Sequence, residues 1–168
     1  LDGVVASGQE TPLIRKAAAT NKPIIISTGM ASMKEIMDAD VAVGLGHSAA
    51  FLHCTSEYPA LPERAGLCGL AQLTTMLPNR EIGISDHTIG PQAAVVAAAL
   101  GAGYFEKHFT LDQRQRGPDH AFSENPVQLS NWVWSIKATT ILLGSGEIEP
   151  TAIERENRVN WRRKSGQK

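Results

Sequence analysis

Two hydrophobic patterns alternate along this chain. Short apolar runs bounded by turn-forming residues are separated by longer segments whose apolar positions recur every three to four residues. The short runs end near Ala6, Ser27, Cys54, Ser85 and Phe109. Such regular alternation of strands and helices predicts an α/β protein with a parallel sheet, either an open doubly wound sheet or part of a barrel.

Several helix boundaries carry their own sequence signals. Pro12 suits the first turn of a helix, and Ser32 followed three residues later by Glu35 predicts a capping box at the start of another. Further helices are predicted from Arg64 to Leu77 and from Pro126 to Leu143. These segments supply the crossovers that parallel strands require.

The stretch from Ile82 to Ser123 predicts a strand, a helix and a second strand, with chemistry at the strand ends. Because strand side chains alternate between faces, Ser85 and His87 share one face of the first strand, and Glu106 and His108 share one face of the second. A right-handed crossover between neighbouring parallel strands brings both histidines to the same end of the sheet. Two imidazoles there can hold a divalent metal. Spacing alone also leaves open two unrelated histidines, each bonded to a backbone carbonyl.

Other conspicuous side chains are predicted to be structural. Alternation places His53 on the opposite face from Cys54 and Ser56, so we expect it behind the strand. Trp132 and Trp134 lie in the last long helical segment, where we expect them to cover the wall of the sheet and not to bind a ligand.

Composition excludes several classes of function. The chain has 168 residues, of which 42% are hydrophobic and 20% charged, with a formal net charge of -1. These values are ordinary for a globular protein and offer no electrostatic reason to expect nucleic acid or membrane partners. Two cysteines are too few for a disulfide framework or a zinc site. We expect a cytoplasmic protein.

Five phrases in this order and spacing resemble the sialic acid synthase family. They read KPIIISTGMASMKEI, FLHCTSEYPA, GISDHTIG, EKHFTLD and GPDHAFS. The resemblance implies a (β/α)₈ TIM barrel, of which residues 1–147 hold roughly strands four to eight. It further implies that residues 148–168 form a linker toward a C-terminal antifreeze-like domain outside the chain.

The resemblance also implies an activity. The family condenses phosphoenolpyruvate with an N-acetylmannosamine-type amino sugar and releases phosphate, assisted by a divalent cation, Mn²⁺ or Mg²⁺. The family's metal ligands match His87 and His108 in this chain. A cation held there acts as a Lewis acid on the sugar carbonyl.

Substrate-binding positions follow partly from the resemblance and partly from place in the chain. Lys22 matches a family lysine that binds phosphoenolpyruvate, whose negative charge requires cationic and hydroxyl donors. The hydroxyls at predicted strand ends belong to Ser27, Ser56 and Ser85. Positions that match the family's sugar contacts are Tyr58, Glu106 and Asp119. Glu106 shares a face with His108, and we expect it to act catalytically with His87 and His108, by accepting from a sugar hydroxyl or orienting a metal-bound water. Ser56 stands where sialic acid synthases often have asparagine, and the acceptor stays open among N-acetylmannosamine, its 6-phosphate and bacillosamine-derived sugars.

Two other interpretations remain from the sequence. One is a metal-dependent pyruvate aldolase on a similar barrel, and the other is a non-catalytic barrel remnant. We expect a homodimer for the full-length protein. We expect no activity from the chain alone, because a barrel without its first strands exposes unpaired sheet edges.

Overall fold

Four parallel strands in sequence order form the sheet at the centre of this computed structural model, which describes residues 11–162. The strands are β1 (Ile24–Ser27), β2 (Ala49–Cys54), β3 (Glu81–Asp86) and β4 (Tyr104–Lys107). The helices are α1 (Thr11–Ala18), α2 (Met33–Val43), α3 (Gly69–Met76), α4 (Gln92–Ala99), α5 (Pro126–Leu143) and α6 (Ala152–Trp161). The predicted strand that ends at Ala6 lies outside the described residues.

The strand order distinguishes between the two architectures that the sequence leaves open. Each strand pairs with the next one along the chain, in the order β1-β2-β3-β4. Open doubly wound sheets reverse their strand order at a switch point, and the described strands show no reversal. Helices α1 to α4 also pack on one face of the sheet, as in a barrel. The sheet is a curled parallel half-barrel, consistent with part of a TIM barrel, whereas the numbering of its strands as four to eight remains a prediction.

One face of the sheet packs against the helices and forms the hydrophobic core. Buried side chains from the strands meet apolar positions on α1 to α4, as periodicity predicts. The core residues with the least exposure include Ile26, Phe51, Ile84, Leu70, Leu73 and Ala97. His53 lies on this face, where its Nε2 atom is 2.8 Å from the carbonyl oxygen of Ala65. Its predicted structural role behind the strand is confirmed.

On the inner face of the half-barrel, side chains of neighbouring strands form rows, and successive rows lie closer to the polar carboxyl edge. Residues paired in register point to the same side of a parallel sheet, so Leu52, Gly83 and Tyr104 form one row. Gly83 is required in that row, because a Cβ atom there would lie 2.3 Å from the carbonyl oxygen of Tyr104. The next row toward the carboxyl edge contains Cys54, Ser85 and Glu106.

Most of the predicted helix boundaries hold. The capping box of Ser32 and Glu35 is present at the start of α2, and α5 spans Pro126–Leu143 as predicted. Residues 148–168, predicted as a linker, contain the helix α6. None of the described helices is long and apolar enough to cross a membrane.

Two local predictions are wrong. The helix predicted from Arg64 to Leu77 is a short 3-10 turn at Pro62–Arg64 followed by α3, because Gly66 adopts a φ of +58° and interrupts it. Trp132 is buried as predicted, but Trp134 is 70% exposed, contrary to the expectation that it covers the wall of the sheet.

A buried arginine ties the amino end of the sheet to α2. Arg80 directly precedes β3, and its guanidinium group forms an ion pair with Asp40 of α2. The same group donates to the carbonyl oxygens of Gly44, at 2.8 Å, and of His47. A cation at the carboxyl end of a helix satisfies the last carbonyl groups and stabilises the helix dipole.

Candidate active site

Two histidines meet at the carboxyl edge of the sheet. His87 follows the last residue of β3, and His108 follows the last residue of β4. The centroids of the two rings are 5.2 Å apart, and the ring planes are inclined by 76°. The convergence expected from alternation and crossover geometry is therefore present in the structure.

A backbone carbonyl group fixes the orientation of the first imidazole. The Nδ1 atom of His87 is 2.8 Å from the carbonyl oxygen of Thr55. Because a carbonyl can only accept, Nδ1 carries the proton, and in the neutral ring Nε2 presents its lone pair. The Nε2 atom is 3.4 Å from the hydroxyl oxygen of Ser85. A carbonyl bonded to the distal nitrogen is the usual support of a metal-binding histidine.

The second imidazole faces a carboxylate from the following loop. The Nδ1 atom of His108 is 3.8 Å from Oδ2 of Asp119, whose side chain is 54% exposed. The loop that carries Asp119 returns to the sheet through a bridge between Phe109 and Glu124. Asp119, predicted to contact a sugar, is therefore held beside His108.

An aromatic wall borders the two histidines. The Tyr58 ring lies 4.3 Å from the His87 ring and 5.6 Å from the His108 ring, measured between centroids. Phe122 completes the wall, with its ring 5.3 Å from His108 and 5.7 Å from Tyr58. Sequence reasoning missed Phe122, although it belongs to the phrase GPDHAFS. Tyr58 was predicted, and the structure brings it to the site.

A serine and a glutamate on adjacent strands form the floor of the site. Ser85 and Glu106 are register partners, and the Ser85 hydroxyl donates to the Glu106 carboxylate. Ser85 is buried, whereas Glu106 is exposed on the inner face. The hydrogen bond, in which the acceptor is charged, orients the carboxylate on the inner face.

Cys54 is a further neighbour that sequence reasoning missed. Its Sγ atom is 3.8 Å from Nδ1 of His87. Burial by itself lowers the pKa of His87, but the contacts with Cys54 and with the carbonyl of Thr55 outweigh burial and hold that pKa above its ordinary value. Burial raises the pKa of Cys54, yet the contacts with His87 and Ser27 outweigh it and lower that pKa. The signal available in the sequence was that Cys54 shares a strand face with Ser56.

The donor set fits a cation that takes two protein ligands. Within residues 11–162, no group of three or more His, Cys, Asp or Glu side chains is arranged to hold a metal ion. His87 nevertheless presents Nε2 toward the site. The ring of His108 lies 5.2 Å from the ring of His87, measured between centroids. A divalent ion bound here would complete its coordination with water or substrate oxygen atoms.

The structure does not bring all the predicted residues together. Lys22 precedes β1 at the amino end of the sheet, where its carbonyl oxygen is 2.8 Å from Nε2 of His47. Ser27, at the carboxyl end, lies five positions further along the chain, a span of about 16 Å that a lysine side chain does not bridge. The predicted contact between Lys22 and substrate therefore lacks support from the geometry. Ser27 contacts Cys54, and Ser56 lies against Gly29 at the same edge.

A buried cluster of charges lies directly behind the histidines. We call it the carboxyl-edge network, and its members are Asp86, Lys107 and Glu124. The ammonium nitrogen of Lys107 is 3.1 Å from Oδ2 of Asp86 and 3.7 Å from Oε1 of Glu124. Strand alternation puts Lys107 on the face opposite His108, but its partners come from a neighbouring strand and a distant loop and could not be identified from the sequence.

Comparisons with known proteins agree with this architecture. An uncharacterized protein of Methanocaldococcus jannaschii is 44% identical over 163 residues, which cover 95% of this chain and 48% of that protein. An N,N'-diacetyllegionaminic acid synthase of Legionella pneumophila is 37% identical over 169 residues, covering 95% and 47% of the two chains. The chain thus spans about half the length of the curated relatives it matches.

A solved structure supports the same assignment. The N-acetylneuraminic acid (sialic acid) synthetase of Leptospira borgpetersenii, crystallised with citrate, superposes with a TM-score of 0.81 at 32% identity and covers 96% of this chain and 58% of that one. A parallel half-barrel with its polar side chains at the carboxyl edge defines a barrel-type α/β protein. Residues 5–148 match the NeuB family model, and the chain belongs to the NeuB family.

Proposed function

We propose that the intact protein is a nonulosonic acid synthase. It condenses phosphoenolpyruvate with an N-acetylmannosamine-type amino sugar, uses a divalent cation, Mn²⁺ or Mg²⁺, and releases phosphate. The observation that supports this proposal best is the convergence of His87 and His108 at the carboxyl edge, with ring centroids 5.2 Å apart. Membership of the NeuB family points in the same direction.

The two histidines hold the cation in this proposal. His87 offers Nε2 because its Nδ1 proton is committed to the Thr55 carbonyl. His108 approaches from the adjacent strand, so the two ligands come from elements that the sheet keeps in fixed register. When bound, the cation supplies Lewis-acid polarisation of the sugar carbonyl.

The sugar lies against the aromatic wall. Tyr58 and Phe122 provide apolar ring surface beside the histidines, which suits the carbon face of a sugar. Glu106 and Asp119 supply carboxylate oxygens that accept hydrogen bonds from sugar hydroxyl or amide groups. The carbonyl carbon of the sugar is thereby oriented toward the enolpyruvate.

Phosphoenolpyruvate occupies the floor of the site. The hydroxyl groups of Ser27, Ser56 and Ser85 donate to its anionic groups, and the Ser85 hydroxyl turns away from Glu106 when the substrate binds. Carbon three of the enolpyruvate forms a bond to the sugar carbonyl carbon. Water adds to carbon two, and the bond between carbon two and the phosphate oxygen breaks to release phosphate. The backbone of Lys22 lies at the amino end of the sheet, so we do not rest this proposal on its expected contact with the phosphate.

The decisive assay supplies the intact protein with phosphoenolpyruvate, Mn²⁺ and a panel of amino sugars. We expect phosphate release to depend on one sugar and to match, mole for mole, a new nonulosonic acid detected by mass spectrometry. Phosphoenolpyruvate labelled with ¹⁸O in the bridging position should deliver its label to phosphate, because the carbon–oxygen bond breaks. His87→Ala is the matched negative control.

Other outcomes of this assay contradict the proposal. Phosphate release without a new acid points to hydrolysis of phosphoenolpyruvate and not to synthesis. Condensation of pyruvate in place of phosphoenolpyruvate, without phosphate, identifies an aldolase.

A further inference from the structure

The two site histidines each follow a residue that points to the other face of the sheet. Asp86 and Lys107 are register partners at the last pair between β3 and β4. Asp86 directly precedes His87, and Lys107 directly precedes His108. A change in the contact between Asp86 and Lys107 therefore moves the backbone from which both imidazoles project.

The contact between Asp86 and Lys107 is shielded from water. The Lys107 side chain is 3% exposed, that of Asp86 is 0% exposed, and that of Glu124 is 5% exposed. The ammonium group of Lys107 also donates to the carbonyl oxygen of Thr88, just beyond His87. Charges shielded from water in this way interact strongly and are little affected by salt. One cation thus joins the end of β3, the end of β4 and the returning loop.

Backbone hydrogen bonds extend the carboxyl-edge network to the segments around it. The amide group of Glu124 donates to the carbonyl oxygen of His108 at 2.9 Å. The Glu124 carboxylate accepts from the amide group of Gly90 at 3.1 Å. The indole nitrogen of Trp132, on α5, donates to Oδ2 of Asp86 at 3.1 Å. These hydrogen bonds hold the segments that follow β3 and β4 from the face of the sheet opposite the two imidazoles.

We propose that the carboxyl-edge network is a positioning device that sets the separation of His87 and His108. Its members touch no substrate in the proposed reaction and act through the two imidazoles. The consequence for cation affinity rests on the proposed function, whereas the consequence for the ring separation does not. A network that merely stabilised the fold would leave the geometry of the imidazoles unchanged in variants that remain folded.

The test uses the intact protein with three substitutions. Lys107→Met removes the shared cation. Glu124→Gln removes one negative charge but keeps an oxygen that accepts from Gly90. The control is Arg80→Met, which removes a buried cation of similar exposure, 6%, from the ion pair at the amino end of the sheet.

The first measurement is the nuclear Overhauser contact between the His87 and His108 rings in the metal-free protein. We expect it to weaken in Lys107→Met, less so in Glu124→Gln, and not at all in Arg80→Met. The second measurement is a calorimetric titration with MnCl₂. Loss of an outer-shell partner typically weakens metal affinity about 10- to 100-fold. Because Lys107 contacts neither imidazole directly, we expect a loss of about 10-fold, the lower end of this range, for Lys107→Met. We expect a smaller loss for Glu124→Gln and unchanged affinity for Arg80→Met.

Each outcome supports or contradicts the positioning role of the carboxyl-edge network. Unchanged ring contacts in Lys107→Met, or in Glu124→Gln if the first variant does not fold, overturn the positioning role. Equal changes in Arg80→Met also overturn it, because a general loss of stability then explains the result. If the unmodified protein binds no Mn²⁺, the metal component of the proposed function fails, and the ring contacts still decide the inference.

Discussion

The sheet buries an ion pair at each of its two ends, and the surroundings of the two pairs differ. At the amino end, Arg80 meets the single carboxylate of Asp40, whose side chain keeps 23% exposure. At the carboxyl end, Lys107 lies between the two carboxylates of Asp86 and Glu124, which are almost completely buried. The amino-end pair satisfies carbonyl groups at the carboxyl end of α2. The carboxyl-end network lies on the face of the sheet opposite the two site histidines.

This difference shows how a parallel αβ sheet separates stability from chemistry. The carboxyl ends of the strands carry the site in barrel proteins, and the amino ends serve mainly stability. Arginine suits the amino end because its planar fork can donate to a carboxylate and to two carbonyl groups at once. Lysine suits the carboxyl end because its compact charge can lie between acids from different elements. The predictions below test whether the two ends are as independent as this comparison implies.

The largest expected effect concerns the histidines themselves. His87→Ala and His108→Ala should each reduce Mn²⁺ affinity in calorimetry by more than the about 10- to 100-fold typical of a lost outer-shell partner, and should cost most of the turnover. His47→Ala is the matched control, because His47 lies at the amino end and contacts the carbonyl of Lys22. A control variant that lost Mn²⁺ binding to the same extent would contradict the location of the site.

The next effect compares the stability contributed by the two buried cations. Removing one partner of a buried ion pair typically costs about 3–5 kcal/mol. We expect Lys107→Met to lower the unfolding free energy measured in urea by this amount, since it leaves two buried carboxylates without their counter-charge. Arg80→Met should cost less, because Asp40 is partly exposed and regains water. A greater loss of unfolding free energy in Arg80→Met would reverse the comparison.

A smaller effect is expected at Gly83, where β3 lies against Tyr104 of β4. A Cβ atom at Gly83 would lie 2.3 Å from the Tyr104 carbonyl oxygen and 2.7 Å from Cδ2 of Leu52. Gly83→Ala should therefore cost about 1–3 kcal/mol of unfolding free energy through overpacking, and should weaken Mn²⁺ binding by separating the strands. Gly103→Ala is the control, since its nearest contact would be 3.7 Å away. Equal losses in the two variants would mean that strand separation is not the cause.

The smallest effect tests whether every residue at the carboxyl edge matters to the histidines. Ser32 caps α2 near this edge, and its hydroxyl accepts from the amide group of Glu35. Ser32→Ala should cost about 1 kcal/mol of unfolding free energy and leave Mn²⁺ affinity unchanged. A change in Mn²⁺ affinity would show that the edge responds as one unit.

The same capping box gives a dependence on pH with a definite sign. Hydrogen bonds from the backbone amide and the hydroxyl of Ser32 hold the pKa of Glu35 below its ordinary value of 4.5. The carboxylate therefore contributes stability at pH values above the unfolded pKa, and the contribution disappears as pH falls through the folded pKa. Unfolding free energy measured between about pH 6 and pH 3 should fall less steeply in Glu35→Gln than in the unmodified protein.

The sequence by itself determined the features that depend on neighbours along the chain. Alternation placed His87 and His108 on the site side of their strands, and His53 behind its strand, because each side chain has one of two faces to occupy. The capping box of Ser32 and Glu35 could also be predicted from the sequence, because its two partners are only three residues apart. Connections between parallel strands are right-handed, so the meeting of the two histidines also followed from the sequence.

Only the tertiary structure decided which distant residues meet those side chains. Cys54 and Phe122 reach the histidines through strand register and the return of a long loop, which no local pattern encodes. Lys22 lies at the amino end of the sheet because β1 separates it from the carboxyl edge, and its contact with phosphoenolpyruvate stays a prediction. The partners of Lys107 are 21 and 17 residues away along the chain, at Asp86 and Glu124. Packing selects such contacts because a buried charge is stable only where the folded chain supplies its counter-charges.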